Sequence, residues 1–160
     1  FAYTPEQNIA HSMTALLAQN KGARKKNRMQ EGFRCGMVLE SIYGIFIFLV
    51  CFIFAKPLMC LFVQDEEVIM HGVTYLHLIS IMYILPAFTN GIQGFFRGIG
   101  DLKITLISSL VNMTVRVIVA APLVLNFHLG IEALPYSYLA GWIGMLIAEI
   151  PLLIRTYKTY

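Results

Sequence analysis

The sequence predicts an all-α membrane protein, a polytopic helical bundle of about five transmembrane helices in a single domain over residues 1–160. Three observations carry this. A hydrophobic fraction of 58% against 13% charged residues lies far from soluble composition, where about a quarter of residues are charged. Four apolar runs, Met37 to Phe54, Tyr75 to Phe96, Ile104 to Phe127 and Leu134 to Ile154, meet or approach the roughly 18 residues needed to cross a bilayer as a helix. Ten of the twelve Lys and Arg residues fall in three patches, Lys21 to Arg34, Arg97 with Lys103, and Arg155 with Lys158. The segments between, Gln64 to His71 and Asn126 to Glu132, hold neither. Positive charge marks the cytoplasmic side, so the patches are expected inside and the other two segments outside.

Residues 1 to 20 are helical in pattern but more polar than the later runs. On a helical wheel Thr4, Gln7, Asn8, His11, Ser12 and Thr14 cluster opposite Ile9, Met13, Leu16 and Leu17. This reads either as a truncated membrane helix with a cavity-facing side or as a helix start, with Thr4-Pro5-Glu6-Gln7 as a capping box. The chain begins at Phe1 inside this pattern, which suggests a piece of a longer protein. In the run from Tyr75 to Phe96, Tyr83, Pro86, Asn90, Gln93 and Arg97 stack along one face at spacings of three and four. Beside them runs a small-residue stripe, Ala87, Gly91, Gly94 and Gly98, suited to close helix packing. Pro86 is expected to kink this helix and to serve as a hinge.

The next run carries Thr105, Ser109, Asn112 and Arg116 on one side. An Arg at mid-membrane depth costs at least ~2.5 kcal/mol on insertion scales, so Arg116 is expected to face inward and find a partner. By helix rise it lies roughly 20 Å above Lys103, and Glu6 lies roughly 21 Å above Asn20. The matching depths suggest a Glu6–Arg116 pair, direct or through water. The last run has a packing stripe, Ser137, Gly141, Gly144 and Ala148, and Glu149 near its inner end, read as snorkelling.

Site chemistry of other kinds finds little support. Cys35, Cys51 and Cys60 sit at different heights of one run and are expected to be free thiols. No Cys/His spacing suggests a metal site, no catalytic constellation or paired carboxylates stand out, and the basic residues follow topology rather than nucleic acid. The expectation is a protein without enzymatic activity or cofactor.

Ala18-Gln19-Asn20-Lys21-Gly22-Ala23 before a basic stretch, an apolar span closing on Pro57 and Leu61-Phe62, and Gly94-Phe95-Phe96-Arg97-Gly98-Ile99-Gly100-Asp101 together resemble the carboxy-terminal half of a multidrug and toxic compound extrusion (MATE) transporter. The resemblance covers nearly the whole chain and implies most of one six-helix lobe, facing a missing amino-terminal lobe across a central cavity. It implies secondary active efflux of drugs, organic cations or other small molecules by antiport with sodium ions or protons, in the plasma membrane, with the basic loops and C-terminus cytoplasmic. Under it Gln7, Asn8, His11, Tyr83, Asn90 and Gln93 are the substrate-cavity candidates, and Glu6 and Arg116 the ion-coupling or charge-pair candidates. One departure concerns coupling. Some sodium-coupled members carry an acid in the tenth helix, about three turns before the Arg-Gly pair, whereas Val73 to Phe96 holds no carboxylate here. Gly22, Gly98 and Gly100 are expected to end helices and make turns. The alternatives are a lipid-linked sugar flippase of the same superfamily, which Arg116 would suit, and a non-transporting membrane module that binds a partner through its small-residue stripes.

Overall fold

In the computed structural model, residues 3–125 and 133–158 are described, and they form seven helices without strands. These are α1 (Tyr3–Gly22), α2 (Lys26–Ile53), α3 (Ala55–Cys60), α4 (Glu66–Met82), α5 (Ile84–Gly98), α6 (Leu102–Leu125) and α7 (Ala133–Tyr157). Three of them, α2, α6 and α7, are long and apolar enough to cross a membrane, and α4 with α5 makes a fourth span if the bent pair counts as one. The expected five therefore become three or four among the described residues. The 20-residue α1 is long enough, but its run of polar side chains keeps it off that count.

The helix boundaries follow local chemistry. At the end of α1 the Lys25 N–H bonds the Asn20 carbonyl and the Arg24 N–H bonds that of Lys21, a Schellman closure. Its left-handed position is Arg24, at φ 57°, and not the expected Gly22, which terminates the helix in open space. The same closure ends α5, with Asp101 N–H to Phe96 and Gly100 N–H to Arg97. There the left-handed residue is Gly100, at φ 81°. The Lys21 ammonium donates to the Ile99 carbonyl and so ties the two turns together.

Both breaks within the expected spans lie three residues before a proline, Phe54 before Pro57 and Tyr83 before Pro86. A proline removes one backbone donor and crowds the carbonyl four residues back, which loosens that turn. The α4–α5 pair is bent by 44°. Pro122 and Pro151 leave α6 and α7 unbroken, so a proline alone does not decide the outcome. Within the segment Gln64 to His71, expected outside, α4 begins at Glu66, because the Asp65 carboxylate accepts from Glu67 N–H (3.0 Å) and Val68 N–H (3.3 Å), with Glu66 and Glu67 complementing the helix dipole. The connection is thus shortened to 61–65. Its counterpart, Asn126 to Glu132, lies outside the described residues.

Short α5 is the hub. It contacts α1, α2, α4, α6 and α7, and nearly all its residues from Pro86 onward are buried. Its small-residue stripe explains the close approach: a Cβ on Gly94 would lie 2.9 Å from the Ala10 carbonyl oxygen, and one on Gly98 3.0 Å from that of Thr14. The Thr14 hydroxyl uses the proximity to donate to the Gly94 carbonyl at 3.1 Å. An aromatic core of Phe33, Phe95 and Phe96 lies toward the end of α5, with Phe33 and Phe95 ring centroids 4.9 Å apart. The outer surface is apolar. Helix α6 buries only Ser108 and Asn112 and exposes Leu106, Leu110, Met113 and Val117, the reverse of a soluble amphipathic helix and what lipid solvation requires.

Candidate functional site

The polar face of α5 receives carboxyl groups from three neighbouring helices. Glu6 of α1, Glu40 of α2 and Glu149 of α7 are each 0% exposed. Asn90 Nδ2 donates to Glu6 Oε1 at 2.9 Å, which fixes one oxygen and leaves Oε2 buried without a partner. The Tyr83 side chain, at the α4–α5 break, stands beside the same carboxyl, although its hydroxyl completes no hydrogen bond of normal geometry. Glu40 lies against Gly91, near enough to Glu6 for the two charges to interact, and neither of its oxygens has a hydrogen bond. Glu149 sits on the other flank beside Ser108 and Gln93, again with both oxygens unbonded. A buried charge without partners is costly in so apolar a setting.

A polar cavity of about 220 Å³ opens between α5, α6 and α7, with Tyr3 of α1 also in its lining. Pro86, Asn90, Gln93, Asn112, Arg116 and Trp142 are among its lining residues. The Arg116 guanidinium lies over the Tyr138 ring, 3.6 Å from its centroid, a cation–π contact. The Asn112 amide donates to the Met145 sulfur at 3.5 Å.

These placements regroup the residues expected from the sequence. Asn90 and Gln93 are buried together beside the acids and share the polar cavity with Pro86 and Arg116. Tyr83 joins the Glu6 side of the site. Gln7, Asn8 and His11 lie on the exposed face of α1 instead, and Asn8 lines a mostly apolar cavity of about 320 Å³ with Ile9, Ser12, Leu16 and residues of α2. The reason is helical phase. The buried side of α1 is set by Glu6, Ala10, Met13 and Leu17, and that row places Gln7, Asn8 and His11 away from α5.

Three readings need correction. Glu6 and Arg116 form no direct ion pair: the carboxyl is held by Asn90 of α5 and the guanidinium lies over Tyr138 of α7. Equal depth along two helices does not make them neighbours when a third stands between. Glu149 does not snorkel, because its side chain turns into the α5–α6–α7 interface. Paired carboxylates do exist, Glu6 with Glu40. Glu40 is the residue missed, although its signal was present: an acid inside the apolar run Met37 to Phe54 is rare enough to mark a site by itself. Among the described residues no group of three or more His, Cys, Asp or Glu side chains is arranged to hold a metal, and the three cysteines are free.

Comparison with known proteins agrees with this architecture. The solved structure described as the outward-facing conformation of a multidrug resistance MATE family transporter of the MOP superfamily superposes with a TM-score of 0.89 at 15% identity, covering 97% of this chain and 35% of that one. The inward-facing conformation of such a transporter gives 0.87 at 16% identity, over 92% and 34%. The MATE transporter ClbM in complex with Rb+ gives 0.82 at 18% identity, over 98% and 36%. Among curated proteins, the probable multidrug resistance proteins NorM of Thermotoga maritima and Halalkalibacterium halodurans are 26% and 24% identical over 93% and 91% of the chain. The chain spans 31% of the length of each. The MatE family model matches residues 1–122. With that match and an outer surface built for lipid, this multi-pass membrane protein belongs to the MatE family.

Proposed function

We propose that this chain is most of the carboxy-terminal lobe of an exporter that moves small molecules out of the cell in exchange for a sodium ion or a proton, and that Glu6 with Glu40 is where the coupling ion acts. The observation that carries the reading is the set of unbonded oxygens: Glu6 Oε2 and both oxygens of Glu40 are buried, mutually close and without a donor. Such a pair is stable only when a cation or proton neutralises it, which is the property an ion-coupled transporter needs. These acids stand in for the missing tenth-helix carboxylate, since they reach the same face of α5 from α1 and α2. The Rb+ complex of ClbM supports a cation-binding reading, as does the near-equal fit of this fold to inward- and outward-facing structures, consistent with a lobe that moves as a body.

In this reading Asn90 and Gln93 contribute to the substrate path. Gln7, Asn8 and His11 line the central cavity between the two lobes from the exposed side of α1, and Pro86 supplies the hinge. The protein acts in the plasma membrane, without catalysis or a cofactor. Full-length protein in proteoliposomes tests the reading. Imposed sodium and proton gradients are expected to drive uptake or release of a fluorescent organic cation. Glu6→Gln with Glu40→Gln is expected to reduce gradient-driven flux by roughly tenfold or more, the equivalent of about 1.4 kcal/mol of ion binding lost for the pair. Undiminished coupling to both ions in the double variant rejects the site.

A further inference from the structure

We infer that the polar cavity between α5, α6 and α7 binds an anionic oxygen group, a carboxylate or a phosphate, on Arg116 and Asn112. The inference deepens the transport reading by naming a ligand class for a site apart from the Glu6–Glu40 pair.

Arg116 lies fourteen residues into α6 from Leu102, roughly 21 Å along the helix and so near mid-membrane. Among the described residues it has no ion pair and no hydrogen bond; the Tyr138 ring lies over it and the Tyr75 side chain is near enough to interact with its charge, but neither is an anion. Cation–π attraction is worth about 0.5–2 kcal/mol, less than a charge at this depth costs. A ring also leaves the in-plane N–H donors of a guanidinium free for a planar anion. Asn112, one turn before Arg116 on the same face, donates one of its two amide N–H groups to the Met145 sulfur, a weak acceptor that a carboxylate or phosphate oxygen would displace. Both side chains line the same cavity. Its wall includes Trp142, which stacks near Tyr138 with ring centroids 5.7 Å apart and offers an apolar surface next to the charge.

Size narrows the ligand further. About 220 Å³ is below the 300–1,000 Å³ of sites that enclose a whole drug-sized molecule, so the cavity suits the anionic head of a larger amphipathic compound. Glu6 is not a counter-ion in direct contact, because its carboxyl is bonded to Asn90 and makes no ion pair with Arg116.

Binding is measured with full-length protein in phosphatidylcholine nanodiscs, using dansylglycine and its methyl ester, which share the ring and differ in the charge. Wild type is expected to bind the acid roughly tenfold or more tightly than the ester, as hydrogen bonds to charged groups are worth about 1.5–3 kcal/mol. Arg116→Gln is expected to abolish that preference and Arg116→Lys to keep part of it. Energy transfer from tryptophan to the dansyl group is expected to fall in Trp142→Phe, which locates the ligand without touching the charge. Adding phosphatidic acid to the nanodisc separates the sources: competition assigns the cavity to a lipid phosphate, and its absence to a soluble carboxylate. Equal affinity for acid and ester in wild type overturns the inference, as does a preference that survives in Arg116→Gln. Loss of cation transport with the acid preference intact would instead remove the transport reading and leave this one standing.

Discussion

Arg24 closes α1 at φ 57°, a conformation in which a β-carbon crowds the following carbonyl. Its side chain is exposed, so relief of that crowding is not offset by lost packing. Arg24→Gly is therefore expected to stabilise the protein by about 0.5–1 kcal/mol, read as a higher unfolding temperature in detergent, provided the loss of one charge from the basic patch is neutral. A fall in stability would mean that the guanidinium makes contacts outweighing the backbone strain. Single residues also show where sequence reading reaches its limit. The depth of Glu6, Glu40, Glu149 and Arg116 follows from helix rise alone. Their partners depend on how far each helix is rotated and on which neighbour stands beside it, and neither quantity is local. Glu6 thus meets Asn90 rather than Arg116. The burial of Asn90 and Gln93 was legible because a 3–4 stripe of polar residues on an apolar helix has few places to go.

At the scale of elements, the legible features were those with a local cause: the small-residue stripe of α5, the break near Pro86, and the turns at the ends of α1 and α5. The N-cap at Asp65 is equally local, with Glu66 and Glu67 in the first turn. The α4–α5 break places Tyr83 beside Glu6, so the bend and the candidate coupling site are one piece of geometry. In Pro86→Ala the residue regains its N–H, which can reach the Met82 carbonyl and extend α4 into α5. The 44° bend is expected to decrease and Tyr83 to rotate away from the acids, with ion-driven flux slowed at unchanged expression. Distance measurement between spin labels at the exposed positions Met70 and Leu102 reads the bend directly. An unaltered distance distribution would show that packing of α5 against α1 and α2, and not the proline, sets the angle.

For the whole molecule the open question is which way the bundle sits in the membrane. The turns after α1 and α5 adjoin through Lys21 and Ile99, which places the Lys21-to-Arg34 patch and the Arg97–Lys103 patch on one end of the bundle. Arg155, in the last turn of α7, belongs to the same end, where Tyr157 packs on Phe33 and Phe95. Positive charge marks the cytoplasmic side as a rule, so that end is expected in the cytoplasm. The opposite end carries Asp65, Glu66 and Glu67, with Lys56 nearby as its one basic residue among those described. Single cysteines at Glu67 and at Asn27, in a full-length background with Cys35, Cys51 and Cys60 replaced by Ser, are expected to differ in intact cells: a membrane-impermeant maleimide labels the first and not the second. Both positions are exposed, so failure to label reports sidedness rather than burial. Permeabilised cells should label both, and labelling of Asn27→Cys alone in intact cells would invert the topology, placing the Glu6–Glu40 pair and the Arg116 cavity on a path of the opposite sense.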